Sequence, residues 1–289
     1  MWVDVDGGRL HLETAGHGSR PGSAILLLHG WPLDHRIFAP QIRYLKRSFR
    51  VVAFDRRGFG RSEAPPDLCL ELDDIDRILD ALGLEAVHLL GMSQGARIAL
   101  RFAVMRAGRI RSMILQAPVI DGIALDESST ERIPMGEFAM LARAGRLGEV
   151  RSHWLEHPMM ALDAKHARLR REVEEIVAGY QGKDLLDYSP KRQTFPHDVL
   201  ESLSRLDKAF LILTGAHDTA VRREHARRLL EAIPRSREIV FLQSGHLSNL
   251  TEPKAYNRHV TAFCASVDGT AQERDGGATQ GTRKTLHKP

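Results

Sequence analysis

A chain of 289 residues with 43% hydrophobic and 27% charged side chains has the balance of a globular protein with room for a sizeable core. Its formal net charge of +4 is mild for that length, and the basic residues are mixed with acids (Arg168 to Arg171 lies beside Glu172, Glu174 and Glu175), so no nucleic-acid partner is expected. Two cysteines, Cys69 and Cys264, give no disulfide framework and no metal-ligand spacing. The acidic, polar start MWVDVDGGRL is unlike a signal peptide and no apolar run nears the roughly 18 residues of a membrane span, so no membrane association and a reducing cytoplasm are expected.

Taken in chain order, residues 3–5 and 10–13, split by Asp6-Gly7-Gly8, predict a β-hairpin. Residues 17–23 read as a Gly/Ser/Pro loop. Residues 24–28 form a short, continuous apolar run, as expected of a strand buried on both faces of a parallel sheet. That run ends at His29-Gly30-Trp31-Pro32-Leu33-Asp34. A helix over 37–45 and a strand over 51–54 follow, and the strand ends in the glycine-rich turn Asp55-Arg56-Arg57-Gly58-Phe59-Gly60-Arg61-Ser62. Apolar spacing (Leu72, Ile75, Ile78, Leu79, Leu82) predicts a helix over 72–82, with Gly83 as its stop.

The chain is organised around what comes next. Val87, Leu89 and Leu90 predict a strand; Ala96, Ile98, Ala99 and Leu100 predict a helix; between them stands Gly91-Met92-Ser93-Gln94-Gly95. A Gly-x-Ser-x-Gly turn between strand and helix lifts the serine hydroxyl clear of the sheet on a sharp bend. A Cβ at either glycine would collide where strand and helix pass. Ser93 itself is expected in a strained conformation.

Residues 113–115 predict a further strand, leading into Gln116-Ala117-Pro118. From 121 to 206 the alternation lapses into helical character, clearest over 138–150 and 164–180, with scattered large apolar residues including Met135, Phe138, Met140, Trp154, Met159 and Met160. Alternation resumes with a strand over 209–213 ending at Thr214-Gly215-Ala216-His217-Asp218, a helix over 225–233, a strand over 239–242 ending at Ser244-Gly245-His246, and a helix over 256–267. Residues 268–289 lack apolar side chains except Leu286 and are expected to be disordered. Short apolar strands alternating with helices specify an α/β fold with a mostly parallel sheet flanked by helices. Ligands of such sheets sit beyond the carboxyl ends of the strands, where His29-Gly30-Trp31, Ser93, Asp218 and His246 all fall.

In order, HGWPLD, DRRGFGRS, GMSQG, GAHD and SGH resemble the landmarks of the α/β-hydrolase superfamily over roughly residues 3–265. The first two look most like small bacterial esterases, enol-lactonases and cofactor-free haloperoxidase-type perhydrolases. The resemblance implies an α/β-hydrolase core (1–120 and 207–267) and an inserted helical cap (121–206), ahead of the tail at 268–289. One departure is Ala96, where many relatives carry a second glycine; altered packing of the elbow is expected.

The chemistry so implied has three roles. A serine hydroxyl is a weak nucleophile unless a base takes its proton; Ser93 is the expected nucleophile and His246 the base, because imidazole titrates near neutrality. Asp218 is expected to orient His246, with Asp121 as the rival, since some relatives carry the acid after the preceding strand. The oxyanion formed on attack needs N–H donors: Gln94 supplies one, and by resemblance Trp31 the other. Trp31, Trp154, Met159 and Met160 are the candidate pocket wall, and His29 and Asp55 are expected to orient loops. No metal or nucleotide motif is present, so no cofactor is implied. The expected reaction is hydrolysis of a small ester or lactone through an acyl-enzyme. Perhydrolysis and C–C bond hydrolysis are alternatives on the same triad, and a small-ligand receptor with a vestigial triad is an alternative of another class.

Overall fold

The computed structural model describes every residue except 18–22, 124, 126, 127, 129, 190–194, 196, 197 and 279–289, so the loop expected at 17–23 falls mostly outside the described residues. Eight strands form one sheet: β1 (Trp2–Val5), β2 (Gly8–Ala15), β3 (Ala24–Leu28), β4 (Arg50–Phe54), β5 (Val87–Met92), β6 (Ile110–Gln116), β7 (Ala209–Gly215) and β8 (Ser236–Phe241). Their order is β1-β2-β4-β3-β5-β6-β7-β8. The β1–β2 and β2–β4 pairs are antiparallel and every later pair is parallel.

Register explains why the central strands read as unbroken apolar runs. Ala53, Leu27, Leu90, Ile114 and Leu211 lie side by side across β4-β3-β5-β6-β7 and join one hydrophobic cluster. The next row, Val52, Leu26, Leu89, Met113 and Phe210, points the other way into a second cluster. With both faces covered, each position must be apolar. Truncating one such leucine to alanine costs about 2–5 kcal/mol.

The helices divide between the faces. On the first lie α1 (Ala39–Leu45), the short α10 (Ser248–Thr251) and the closing helix α11 (Pro253–Ala278), through Ile42, Leu45, Leu250, Tyr256, Val260 and Phe263. On the second lie α2 (Glu71–Ala81), α3 (Gln94–Met105) and α9 (Ala220–Ala232), through Ile75, Ile78, Ile98, Phe102 and Leu229.

Between β6 and β7 run α4 (Met135–Arg143), α5 (Leu147–Glu156), α6 (Ala167–Ala178), α7 (Lys183–Leu186) and α8 (Val199–Ser204). The single helix expected over 138–150 is two, broken at Gly145 in the left-handed region (φ 74°). α8 packs on α3 and α9, because Val199 and Leu203 join the cluster beneath those helices. The inserted layer is therefore α4 to α7, with α8 returned to the core.

The expected tail boundary needs correction, since α11 continues past Val267 to Ala278. Asp268 is buried, accepting from Ser23 Oγ at 2.8 Å and Arg111 Nη2 at 2.7 Å, with His88 Nε2 at 3.2 Å. A carboxylate with three polar partners can be buried where sequence reasoning expects solvent. Residues 279–289 lie outside the described residues. Among the described residues, no helix is long and apolar enough to cross a membrane.

Candidate active site

β5 ends at Met92 and α3 begins at Gln94, leaving Ser93 on the bend with φ 53° and ψ −116°. Such a conformation costs on the order of 1–3 kcal/mol and persists only where its surroundings enforce it. A Cβ on Gly95 would stand 2.2 Å from the Leu28 carbonyl oxygen, and one on Gly91 would stand 2.6 Å from Ala96 Cα. Neither backbone can move aside. The Ala96 methyl is fully buried, so the departure at that position is accommodated. Loop 29–34 comes down on the serine from above: a Cβ on Gly30 would lie 3.2 Å from Ser93 Cβ.

The turn after β7 delivers Asp218, and the turn after β8 delivers His246. His246 Nδ1 donates to the carboxylate, 3.0 Å from Oδ2 and 3.1 Å from Oδ1, and both side chains are buried. Thr219 N–H also donates to Asp218 Oδ1 at 2.7 Å. With its proton on Nδ1, the imidazole keeps a lone pair on Nε2. Asp121 is elsewhere engaged, accepting from Arg97 Nε and Arg101 Nε at 2.7 Å each. Burial pushes its carboxyl upward, but Arg101 and Arg97 hold it below the ordinary range. His217 is exposed, and His88 is buried at the start of β5 against Ser112.

Sequence reasoning missed the residue that ties Ser93 and His246 together. Gln116, at the tip of β6, accepts the Ser93 N–H on its backbone carbonyl at 2.8 Å, and its Nε2 donates to the His246 carbonyl at 2.9 Å. Tyr256 Oη donates to Gln116 Oε1 at 2.9 Å, and Gln116 Nε2 also reaches Asn249 Oδ1 at 3.0 Å. Asn249 Nδ2 donates to the Ile37 carbonyl at 2.9 Å, and Gln41 Nε2 to the Asn249 carbonyl at 2.9 Å. All are buried. Neutral amides from distant stretches of chain show no pattern in sequence.

The candidate wall residues fall in the first cluster. The Trp31 indole meets Trp154 edge-on at 4.9 Å and stacks on Phe138 at 5.9 Å, and its Nε1 donates to Asp184 Oδ2 at 2.8 Å and Tyr180 Oη at 3.1 Å. Trp154, Met159 and Met160 are buried in the same cluster. His157, which sequence reasoning also passed over, stacks on Trp154. Burial, and after it the charge of His246, pushes its imidazole down. A cavity of about 410 Å³ is lined by Arg56, Phe59, Leu68, Glu71, Gln94 and Asp184, among others.

His29 and Asp55 hold loops. His29 Nδ1 donates to the Gly30 carbonyl at 2.8 Å, and its Nε2 accepts the Arg56 N–H at 3.0 Å. Burial first, then Arg56, pushes its imidazole down to about 4. Asp55 accepts from His35 Nδ1 at 2.6 Å and from the N–H groups of His35 and Arg61 at 2.9 Å. Burial opposes its ionisation, yet those partners bring its carboxyl down to about 2. With His11 these residues have the composition of a metal site. Arg61 Nη1, however, stands 3.1 Å from His11 Nε2, a cation where a metal would need none.

A family model for the alpha/beta hydrolase fold matches residues 23–253. The chain belongs to the alpha/beta hydrolase family. Among its relatives in that family is RutD of Caulobacter sp. (strain K31), described as a candidate carbamate hydrolase, 28% identical over 264 residues that cover 90% of this chain and 96% of RutD. A thermophilic esterase from Thermogutta terrifontis has a similar structure, with TM-score 0.75, 24% identity and coverage of 92% and 98% of the two chains. So does the enol-lactonase of Burkholderia xenovorans LB400, with TM-score 0.74, 21% identity and coverage of 92% and 100%. These two likenesses concern the fold.

Proposed function

We propose that this α/β hydrolase is a serine hydrolase that cleaves small carboxylic esters or lactones through an acyl-enzyme. The observation that carries the reading is the His246–Asp218 pair, joined by Gln116 to a serine in a strained elbow. His246 Nε2 takes the Ser93 proton as Oγ attacks the carbonyl carbon, and Asp218 stabilises the imidazolium. The oxyanion forms against the N–H groups of Gln94 and Trp31, with the N-terminal end of α3 adding its positive dipole. Collapse expels the alcohol, which leaves with the proton from His246. Water then repeats the sequence on the acyl group, releasing acid and restoring Ser93; hydrogen peroxide in place of water would give a peracid.

A carbamate is a second substrate reading. It is favoured by the likeness to RutD. Its carbonyl would be attacked in the same way. The test is labelling with a fluorophosphonate, followed by turnover of p-nitrophenyl esters, lactones and carbamates with and without peroxide. The expected outcome is one labelled serine, Ser93, and turnover abolished in Ser93→Ala. Label on another residue, or activity surviving in Ser93→Ala, would refute the mechanism. A folded protein that binds such compounds but turns none over would be a receptor instead.

A further inference from the structure

Arg56 belongs to the turn after β4, and the triad gives it nothing to do. Its guanidinium is 1% exposed and gripped on one edge by Glu71, with Nε to Oε2 at 2.8 Å and Nη2 to Oε1 at 2.7 Å. That bidentate pair fixes the plane of the guanidinium and leaves Nη1 to point at the site. Nη1 donates to Gln94 Oε1 at 2.8 Å and to the His29 carbonyl at 3.3 Å. On the main chain, Arg56 N–H donates to His29 Nε2 at 3.0 Å, and His29 Nδ1 donates onward to the Gly30 carbonyl at 2.8 Å. The depressed basicity of His29 suits this arrangement, since only a neutral imidazole can accept at Nε2.

One residue therefore reaches both strips of chain whose N–H groups would receive the oxyanion, the head of α3 through the Gln94 side chain and the loop leading to Trp31 through the His29 carbonyl and imidazole. We infer that Arg56 is a positioning residue that locks these two strips together and so sets the spacing of the oxyanion donors. The inference rests on the acyl-transfer reading. It assigns Arg56 no contact with the reacting atoms. A buried ion pair with only a structural role would act on stability. A clamp on the donors acts on the transition state, where the charge on oxygen is fully developed, and scarcely on ground-state binding.

The test uses the full chain and an aryl trifluoromethyl ketone, which adds to the activated serine as a hemiketal and needs the oxyanion donors. Removing Arg56 alone would leave Glu71 buried without its counter-ion, so Arg56→Met is combined with Glu71→Leu. Gln94→Leu is the milder cut, keeping the backbone N–H while removing the acceptor that Arg56 holds. In both variants kcat should fall about 10- to 100-fold with KM within about threefold, less than deletion of a donor causes, and the ketone inhibition constant should rise by a similar factor. The combined variant carrying Gln94→Leu should lose less than the product of the two effects, because both cut one connection. An unchanged inhibition constant, or a loss confined to KM, would overturn the inference. If the double replacement does not fold, Gln94→Leu decides on the same two readouts. A wild-type protein that neither takes fluorophosphonate at Ser93 nor binds the ketone would overturn the acyl-transfer reading and this inference with it; a labelled protein whose variants keep their ketone affinity would overturn the inference alone.

Discussion

At the scale of single residues, Asp218 is the expected partner of His246 and Asp121 its rival, and the hydrogen bonds of the two differ. Asp218 holds His246 Nδ1, whereas Asp121 is occupied by two arginines. Asp218→Asn should lower kcat by about 10⁴-fold with the fold intact, the size of effect known for the orienting aspartate of a serine protease, while Asp121→Asn should leave turnover nearly unchanged. Steady-state kinetics with circular dichroism on both variants checks this; the reverse pattern would move the orienting acid to Asp121. Gln116→Leu should strip partners from the Tyr256 hydroxyl, the Asn249 amide and the His246 carbonyl at once. Each buried group left unpaired costs about 1–3 kcal/mol, so this variant should melt well below the wild type and lose turnover even at temperatures where it is folded. The strand-end placement of Ser93, Asp218 and His246 was legible because each stands in a recognisable turn. Gln116 and Arg56 were not. One is a neutral amide whose partners lie at positions 246, 249 and 256 of the chain, and the other is an arginine whose reach depends on where Nη1 points.

Elements were legible in proportion to how evenly they are buried. β3, enclosed on both faces, was read from the sequence to the residue. β6 runs from Ile110 to Gln116 although only its middle reads as a strand, because Arg111 and Ser112 find polar partners in Asp268 and His88. β8 begins at Ser236, earlier than expected, since an edge strand with exposed Arg237 and Glu238 lacks a continuous apolar signal. α11 shows the same limit at its far end, where a buried carboxylate stands in for a core residue. Truncation before Asp268 should therefore lower the melting temperature by several degrees, and Asp268→Ala should reproduce part of that loss; a melt unchanged by either would mean that the carboxylate cluster contributes nothing. In the inserted layer, Trp154→Ala removes the ring that meets Trp31 edge-on. It should cost about 3–5 kcal/mol and shift the ratio of rates on short and long acyl esters, which competition between two chain lengths would measure.

For the molecule as a whole, the buried histidines set its response to acid. Burial, and after it a neighbouring arginine, pushes His29 and His225 down to about 4 from an ordinary value of 6.5. Between those values the unfolded chain binds protons that the folded one refuses, so stability is full above about 6.5 and falls as pH drops toward 4, by up to about 3 kcal/mol per histidine. His35, raised by its hydrogen bond and charge interaction with Asp55 against the cost of burial, works in the opposite direction and offsets part of the loss. Melting curves from pH 7 to 4.5 should show a steady fall, flattened in His225→Leu; a melting temperature independent of pH over that range would contradict it. The placement of α4 to α8 between two neighbouring strands also matters while the chain is being made. β6 pairs with β7 through Ser112 to Gln116, yet the whole insertion must emerge before β7 exists. Closing so long an excursion costs little at equilibrium, only about 0.6 kcal/mol for each doubling of its length, so the insertion can be lengthened or exchanged cheaply. The delay it imposes is another matter. Until residue 209 arrives, β6 presents an open edge carrying Met113, Ile114 and Leu115, the kind of edge on which chains pair with one another. A fragment ending at residue 206 should scatter light on refolding at concentrations where the full chain stays clear.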